Sequence, residues 1–160
     1  MKLLILSDSH REMNYMRMAV KKERPDGIIH LGDHAADGQS LALEFPELPV
    51  CLVKGNCDYY ELNLPEERTV RWEEVTVFFT HGHRHGVKNG LLRLQYAAME
   101  KGAQVALFGH THIPFCGKAG DVHLLNPGPC GGRVPTYGIV EIEKDRVNCR
   151  IIDLFGEELA

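Results

Sequence analysis

The chain opens with Leu3-Leu4-Ile5-Leu6-Ser7-Asp8-Ser9-His10, an apolar run that ends in a carboxylate and an imidazole. Four apolar residues closed by polar ones predict a buried β-strand whose carboxyl end opens into a loop. Asp8 and His10 are two residues apart, so on an extended segment their side chains would leave the same face and converge. The segment therefore predicts a strand that delivers two candidate metal ligands to one point.

The same arrangement recurs four more times along the chain. Apolar runs at 28–31, 50–53, 77–79 and 105–108 each lead into a short polar segment. His110 and His112 are again two residues apart and are expected to converge. Because ligands bind at the carboxyl edge of open α/β sheets, five such strand ends predict one shared site. The candidate ligands are Asp8, His10, Asp33, Asn56, His81, His110 and His112.

The chemistry of these side chains indicates a site for two metal ions. Carboxylate, imidazole and amide groups are ligands that divalent cations such as Mn²⁺, Fe²⁺ and Zn²⁺ accept. Two cations about 3.5–4 Å apart need a shared ligand, and a carboxylate has two oxygens where an imidazole nitrogen binds a single ion. Asp33 is the natural candidate for that bridge.

Helical patterns separate the predicted strands in the first two-thirds of the chain. They cover 14–23 and 37–45, each followed by a proline, and 89–101, where Asn89 is a candidate N-cap. From 105 onward, turns and strands dominate, with strands expected at 137–142 and 147–154, which predicts an antiparallel sheet built of hairpins. Together these segments predict an α/β domain with two packed sheets and helices outside.

Composition restricts the class of protein. A chain of 160 residues suits one domain over 1–160, and a net charge of −4 gives no overall positive field for nonspecific nucleic-acid binding. Five cysteines without a Cys-x-x-Cys pair argue against a disulfide framework and favour the cytoplasm. The run Leu3–Leu6 is too short for a signal peptide, and no stretch approaches the length of a membrane span. We therefore expect a soluble cytoplasmic protein that does not bind membranes.

The order of the motifs resembles the calcineurin-like metallophosphoesterase superfamily. Asp-x-His, Gly-Asp, Gly-Asn-x-Asp, His-Gly and Gly-His-x-His follow one another between Asp8 and His112. The short length, the segments 55–58 and 80–83 and the later Asn126-Pro127-Gly128 are most similar to its small prokaryotic phosphodiesterase branch, which also contains the eukaryotic retromer subunit. This resemblance implies an α/β fold arranged as a four-layer αββα sandwich, with two mixed β-sheets flanked by helices.

The resemblance also implies how the ligands divide and what they do. By motif position, one metal would be held by Asp8, His10 and His112, the other by Asn56, His81 and His110, with Asp33 bridging. A hydroxide bridging the two metals would attack phosphorus and split a phosphodiester into a phosphomonoester and an alcohol. Mn²⁺ is the favoured ion, and Fe²⁺, Zn²⁺ and Ni²⁺ also suit an oxygen and nitrogen shell. The expected partner is a small phosphoester, with nucleotide-like compounds among the candidates, and a homo-oligomer is compatible with the sequence.

One position departs from the wider superfamily. Where many members have histidine after Gly-Asn, this chain has Cys57, which is expected to line the substrate side of the site. A thiol is a poor acid for an alkoxide leaving group, so the general acid is unknown and its candidates are His34 and His83. His85 is expected to be a solvated loop residue, and His30 to be a hydrogen-bonded residue of the core.

The alternative to an enzyme is a scaffold protein. The same fold can serve as a noncatalytic, metal-binding scaffold for protein partners, as in the retromer relative. A scaffold does not require a complete set of seven ligands, so the intact set favours an enzyme. A structural zinc protein fits poorly, because such sites usually draw on several cysteines.

Overall fold

The computed structural model describes residues 1–160. Ten strands and three α-helices make up the fold. In chain order they are β1 (Lys2–Leu6), α1 (Met13–Glu23), β2 (Gly27–His30), α2 (Ala35–Glu44), β3 (Val50–Leu52), β4 (Glu67–Trp72), β5 (Val75–Thr80), α3 (Leu92–Glu100), β6 (Val105–Leu107), β7 (Phe115–Ala119), β8 (Val122–Asn126), β9 (Thr136–Glu143) and β10 (Arg146–Asp153). Two short 3₁₀ helices, His83–His85 and Val87–Asn89, lie between β5 and α3.

The strands form two mixed five-stranded sheets. The first sheet has the order β10-β9-β1-β2-β3, and the second has the order β4-β5-β6-β8-β7. In the first sheet β1, β2 and β3 run parallel, and β9 pairs antiparallel with β1 on one side and with β10 on the other. In the second sheet β5, β6 and β8 run parallel, and β4 and β7 pair antiparallel at the two edges.

Alternation along β1 explains how the first sheet packs on both of its faces. Leu3 and Ile5 belong to the apolar cluster between the two sheets. Leu4 and Leu6 point the other way and pack in a second cluster with Met16 of α1. A strand buried on both faces needs an uninterrupted apolar run, which is what the sequence supplies here.

The second sheet is covered in the same way by α3. Val77 and Phe79 of β5 face the first sheet, whereas Phe78 packs in a third cluster with Leu94 and Ala98 of α3. The layers are therefore α1 with α2, the first sheet, the second sheet, and α3. The expected four-layer αββα arrangement is confirmed.

Two helices begin elsewhere than the sequence predicts. Helix α2 starts at Ala35, two residues before the predicted start at 37. Helix α3 starts only at Leu92. Asn89 is the last residue of a 3₁₀ helix, and Gly90, with φ of 135°, has a non-helical backbone that separates this turn from α3. The prediction that Asn89 caps α3 was wrong. No helix combines the length and apolar character needed to cross a membrane.

The carboxyl-terminal third differs from the single antiparallel sheet that its turns predict. The pairs β7–β8 and β9–β10 are antiparallel hairpins as expected. They lie in different sheets, however, and β8 runs parallel to β6. Turn chemistry specifies each hairpin locally, whereas the choice of sheet depends on packing partners far away in the chain.

Candidate metal centre

The predicted strand ends meet at one edge of the sandwich. Strands β1, β2 and β3 are parallel in the first sheet, and β5 and β6 are parallel in the second, so their carboxyl ends point to common edges. The seven candidate ligands occupy the loops that follow these strands: Asp8 and His10 after β1, Asp33 after β2, Asn56 after β3, His81 after β5, and His110 and His112 after β6.

Six of the seven side chains come together in two groups. Asp8, His10 and His112 bring their ligand atoms within 4.8 Å of one another, and so do Asp33, His81 and His110. The groups adjoin, since His81 Nε2 lies 3.4 Å from Asp33 Oδ2 and 4.0 Å from Asp8 Oδ1. Six nitrogen and oxygen donors in two neighbouring groups have the composition that two divalent cations require.

The backbone of these loops differs from the extended form expected of them. The φ angles are 51° at Asp8, 47° at His10, 54° at Asp33, 67° at His110 and 57° at His112. His110 and His112 consequently diverge into separate groups, so the expectation that they converge was wrong. A left-handed backbone costs a non-glycine residue about 1–3 kcal/mol, and such residues cluster at functional sites.

His81 is held in an orientation that suits a metal ligand. Its Nδ1 donates to the main-chain oxygen of Leu31 at 2.8 Å, which leaves the lone pair on Nε2 in the neutral ring. That Nε2 is buried and has no hydrogen-bond partner. A metal ion would satisfy it, and metal-ligating histidines commonly donate their other N–H to a carbonyl or carboxylate in this way.

Asp33 is held as an ionised carboxylate in the second group. Its Oδ1 accepts the backbone N–H of Cys57 at 2.9 Å. Burial raises the pKa of Asp33, but the contact with His81 and the Cys57 N–H outweigh it and hold the pKa well below its usual range. Burial in turn lowers the pKa of His81, and the charges of Asp33 and Asp8 more than offset that effect.

Asp58 ties the loops together, a role that sequence reasoning missed. Its buried carboxylate accepts backbone N–H groups from Asp33 at 2.8 Å, Ala35 at 2.9 Å and Gly55 at 2.7 Å. It thus joins the loops after β2 and β3 and satisfies an N–H at the start of α2. The available signal was its place at the end of a Gly-Asn-x-Asp turn, where aspartate often bonds the backbone.

A second buried network supports the loop after β1. The N–H of Gly32 donates to His30 Nδ1 at 3.2 Å, so His30 Nε2 donates to Ser9 Oγ at 3.0 Å, and Ser9 Oγ donates to Asp37 Oδ2 at 2.7 Å. Burial lowers the pKa of His30 to about 4, which keeps the ring neutral. The prediction that His30 is a hydrogen-bonded core residue is confirmed, while the roles of Ser9 and Asp37 were not foreseen.

Asn56 and Cys57 lie in the exposed part of the loop after β3. Asn56 Nδ2 is 3.5 Å from Cys57 Sγ. Burial and the negative charge of Asp33 raise the pKa of the Cys57 thiol. The backbone N–H of Cys57 donates to Asp33, and its thiol stays neutral. A neutral thiol is poorly suited to act as a nucleophile.

The two candidates for the general acid adjoin different groups. The ring of His34 meets that of His10 edge-on at a centroid distance of 5.0 Å. His83 lies 5.5 Å from His81 and 6.1 Å from His110, measured between ring centroids. Its Nδ1 is buried and has no partner, and burial with the charge of His81 lowers its pKa.

His85 does not behave as the solvated loop residue that the sequence predicts. Its Nε2 lies 3.1 Å from Glu67 Oε2, and 17% of its side chain is exposed. The ring also packs edge-on against Phe78 at a centroid distance of 5.8 Å. The expectation was wrong because β4, on which Glu67 lies, pairs alongside β5 and brings this carboxylate to the loop after β5.

A cavity of about 240 Å³ opens beside the second group, and its lining includes Lys54, Asn56, His83 and Arg84. Arg84 is paired with Glu66 at 2.6 Å, whereas Lys54 makes no ion pair. The two carboxylates of the lining are occupied, Asp58 by backbone N–H groups and Glu66 by Arg84, so Lys54 is left as a free cation next to the ligands, which suits an anionic group.

The Asn126-Pro127-Gly128 segment, at the end of β8, braces the loop after β6. Asn126 Nδ2 donates to Gly109 O at 3.0 Å and to Thr111 Oγ1 at 2.9 Å. Its Oδ1 accepts the N–H of Gly128 at 2.9 Å. These bonds hold the backbone on both sides of His110.

Comparison with known proteins agrees with this geometry. The chain is 34% identical to the Probable metallophosphoesterase YsnB of Bacillus subtilis, over 99% of this chain and 95% of that protein. It is 28% identical to the Phosphodiesterase YfcE of Escherichia coli, with 88% of each chain covered. Vps29 of Chaetomium thermophilum shares the fold, with a TM-score of 0.80 at 17% identity over 98% of this chain and 91% of that one.

The family model gives the assignment. Residues 1–145 match the calcineurin-like phosphoesterase superfamily domain. That family binds divalent metals, and the two ligand groups at the sheet edge supply suitable side chains. The chain therefore belongs to the calcineurin-like phosphoesterase superfamily.

Proposed function

We propose that this protein is a metal-dependent phosphodiesterase that hydrolyses small phosphoesters, with nucleotide-like compounds among its substrates. The observation that carries the proposal is the pair of adjoining ligand groups with the unpartnered Nε2 of His81 between them. The E. coli relative YfcE is a phosphodiesterase, which supports a diester as the substrate. The negative charge of such a substrate suits the free Lys54 in the neighbouring cavity.

The residues fit two divalent ions. Asp8, His10 and His112 would hold one ion, Asn56, His81 and His110 the other, and the two oxygens of Asp33 suit a shared ligand. Mn²⁺ is the favoured ion, and Fe²⁺, Zn²⁺ and Ni²⁺ suit the same donors. Divalent ions supply a nucleophile at neutral pH by lowering the pKa of water, and they offset the charge of the phosphate.

The surrounding residues position the ligands before the substrate arrives. Asp58 fixes the backbone of Asp33, and the N–H of Cys57 orients the carboxylate itself. The main-chain oxygen of Leu31 fixes the ring of His81. Preorganised ligands keep the reacting geometry without reorganisation during the reaction, which is a large part of catalysis at charged sites.

His83 is the better placed of the two histidines to contact the substrate. It lines the 240 Å³ cavity, and its buried Nδ1 has no partner within the protein. A phosphate oxygen in that cavity would accept a hydrogen bond from the imidazole ring. His34, beside His10, is the alternative for protonating the leaving oxygen.

The test compares metal content and turnover in matched variants. The Mn²⁺-loaded protein should bind about two ions per chain and hydrolyse bis(p-nitrophenyl) phosphate faster than p-nitrophenyl phosphate. Asp33→Asn and His81→Ala should lower kcat by at least about a hundredfold. Asp121→Asn and His123→Ala, at the opposite end of β8, are the controls and should keep full activity. Activity unchanged in Asp33→Asn would sink the proposal.

A noncatalytic scaffold is the second candidate, and the fold shared with Vps29 favours it. Under this alternative, the protein would bind metal through the same residues without turning over phosphoesters. Two bound ions per chain with no hydrolysis of any diester tested would support the scaffold over the enzyme.

A further inference from the structure

An apolar groove with a volume of about 420 Å³ lies beside the second ligand group. Val87 and Phe108 are buried and form its floor, while Leu91, Ile113 and Phe115 form its walls. Ile113 is 67% exposed and Phe115 is 40% exposed, so two large apolar side chains face solvent across the groove. Apolar side chains grouped around a concavity are typical of a surface that binds something.

The floor of the groove contacts the residue that follows a candidate metal ligand. Val87 and Phe108 both pack against Gly82, the residue after His81. A Cβ atom at Gly82 would lie 2.9 Å from Val87 Cγ2 and 3.5 Å from Phe108 Cβ. The floor of the groove therefore lies one residue from the candidate ligand His81, and position 82 has no side chain between them.

The rim of the groove carries polar groups that connect it to the same ligands. Thr111, part of its lining, stands between His110 and His112 in the chain. Lys88 also lines the groove and makes no ion pair. A molecule that lies in the groove would thus meet a free cation, together with the segment that carries His110 and His112.

We propose that this groove binds an aromatic ester group of the phosphodiester, an aryl or nucleobase ring, while Lys88 faces its phosphate. The inference rests on the proposed function and narrows the substrate class. Phe115 forms a wall of the groove and is 40% exposed, and its ring packs against Phe108 of the floor at a centroid distance of 6.2 Å, so an exposed aromatic ring is available for a flat ligand ring to stack on. A groove of this volume suits a small-molecule group, whereas a stable protein interface needs about 800 Å² from each partner.

The first test uses two phosphonates that differ only in the ring. Isothermal titration of the Mn²⁺-loaded protein should give about tenfold tighter binding of phenylphosphonate than of methylphosphonate, because the ring buries apolar surface. Ile113→Asn should reduce this preference to about threefold or less without changing the affinity for methylphosphonate. Leu43→Asn, which changes a residue that is 85% exposed on α2, is the matched control and should keep the full preference.

Two further measurements separate the parts of the proposal. With diamagnetic Zn²⁺ in place of Mn²⁺, phenylphosphonate should move the methyl resonances of Ile113 by a ring-current shift, and methylphosphonate should not. Lys88→Gln should weaken both phosphonates by a similar factor, about threefold, since it removes a charge and leaves the ring contacts in place. Equal affinity for the two phosphonates in the wild-type protein would overturn the proposal, as would a preference that Ile113→Asn leaves intact.

Rejection of ring binding in the groove can be distinguished from rejection of the proposed function. Hydrolysis of bis(p-nitrophenyl) phosphate without any ring preference would reject the groove and leave the phosphodiesterase standing. A ring preference that depends on Ile113, without hydrolysis, would support the groove and reject catalysis. A dimer in sedimentation velocity that Ile113→Asn dissociates, with no ring preference, would assign the groove to a second copy of the chain and overturn the proposal.

Discussion

His81, directly after β5 of the second sheet, donates its Nδ1–H to the main-chain oxygen of Leu31, directly after β2 of the first sheet, across 2.8 Å. The bond links the loop after β5 to the end of β2 and leaves the opposite nitrogen of the ring facing Asp33 at 3.4 Å. This hydrogen bond therefore sets the tautomer of His81 and joins the two sheets at the metal centre. The site depends on the packing of the sandwich as much as on its ligands.

Removal of the Asp58 carboxylate should disrupt the site by freeing the backbone of the loops that carry the ligands. Asp58→Ala leaves the N–H groups of Asp33, Ala35 and Gly55 without their buried acceptor. We expect the free energy of unfolding to fall by about 2–4 kcal/mol and Mn²⁺ affinity to fall at least tenfold. Urea denaturation and metal titration would measure both. Asp145→Ala, in the exposed turn between β9 and β10, is the control, and equal behaviour of the two variants would contradict the assigned role.

His30 should make the metal-free protein less stable as the pH falls. Its pKa is about 4 in the folded state and about 6.5 when exposed, so between these values the unfolded chain binds a proton that the folded chain does not. The stabilisation that comes from burying a neutral His30 is therefore fully present above pH 6.5 and is lost as the pH falls towards 4. From pH 7 to pH 5, this residue should cost about 2 kcal/mol, or about 1.4 kcal/mol for each pH unit below 6.5.

The measurement is urea denaturation of the metal-free protein at pH 7 and pH 5. His30→Gln removes the titrating group, so its stability should change less between the two pH values than that of the wild type. Other groups contribute equally to both proteins, and the difference isolates His30. Identical pH dependence in the two proteins would show that burial of a neutral His30 is the wrong description.

Replacement of His83 should weaken substrate binding and turnover together. His83→Ala removes the imidazole with the unpartnered Nδ1 from the cavity, and we expect kcat/KM to fall by about tenfold to a hundredfold, the loss of one hydrogen bond to a charged group. If His83 contacts only the phosphate, diesters with good and poor leaving groups should be affected alike. A loss that grows with the pKa of the leaving alcohol would identify His83 as the general acid instead.

The thiol of Cys57 should be dispensable for hydrolysis of activated diesters. Burial and the charge of Asp33 raise its pKa, and the contact it makes with Asp33 uses its backbone N–H, which any residue supplies. Cys57→Ala should keep kcat for bis(p-nitrophenyl) phosphate within about threefold of the wild type. Loss of activity in Cys57→Ala would show that the thiol takes part in the chemistry.

Much of the fold can be predicted from local sequence patterns. Leu3 to Leu6 specify a strand buried on both faces, and the alternation of Val77, Phe78 and Phe79 assigns one side to each neighbouring layer. The ligands could be predicted because each follows such a strand. The pairing of β8 with β6 could not, since it depends on residues far apart in the chain.

The supporting groups of the site were harder to predict than the ligands. Asp58 acts on Asp33 and Ala35 from more than twenty positions away, and its carboxylate is what allows α2 to begin at Ala35. The left-handed backbone at His110 and His112 sends neighbouring ligands to different groups, which a two-residue spacing cannot reveal. Long-range hydrogen bonds override the local pattern at both places.

Anomalous diffraction from crystals of the Mn²⁺-loaded protein tests the two-metal account most directly. We expect two manganese peaks about 3.5–4 Å apart, one among Asp8, His10 and His112 and one beside His81, His110 and Asn56, with Asp33 between them. A single peak, or two peaks that Asp33 does not bridge, would contradict the account.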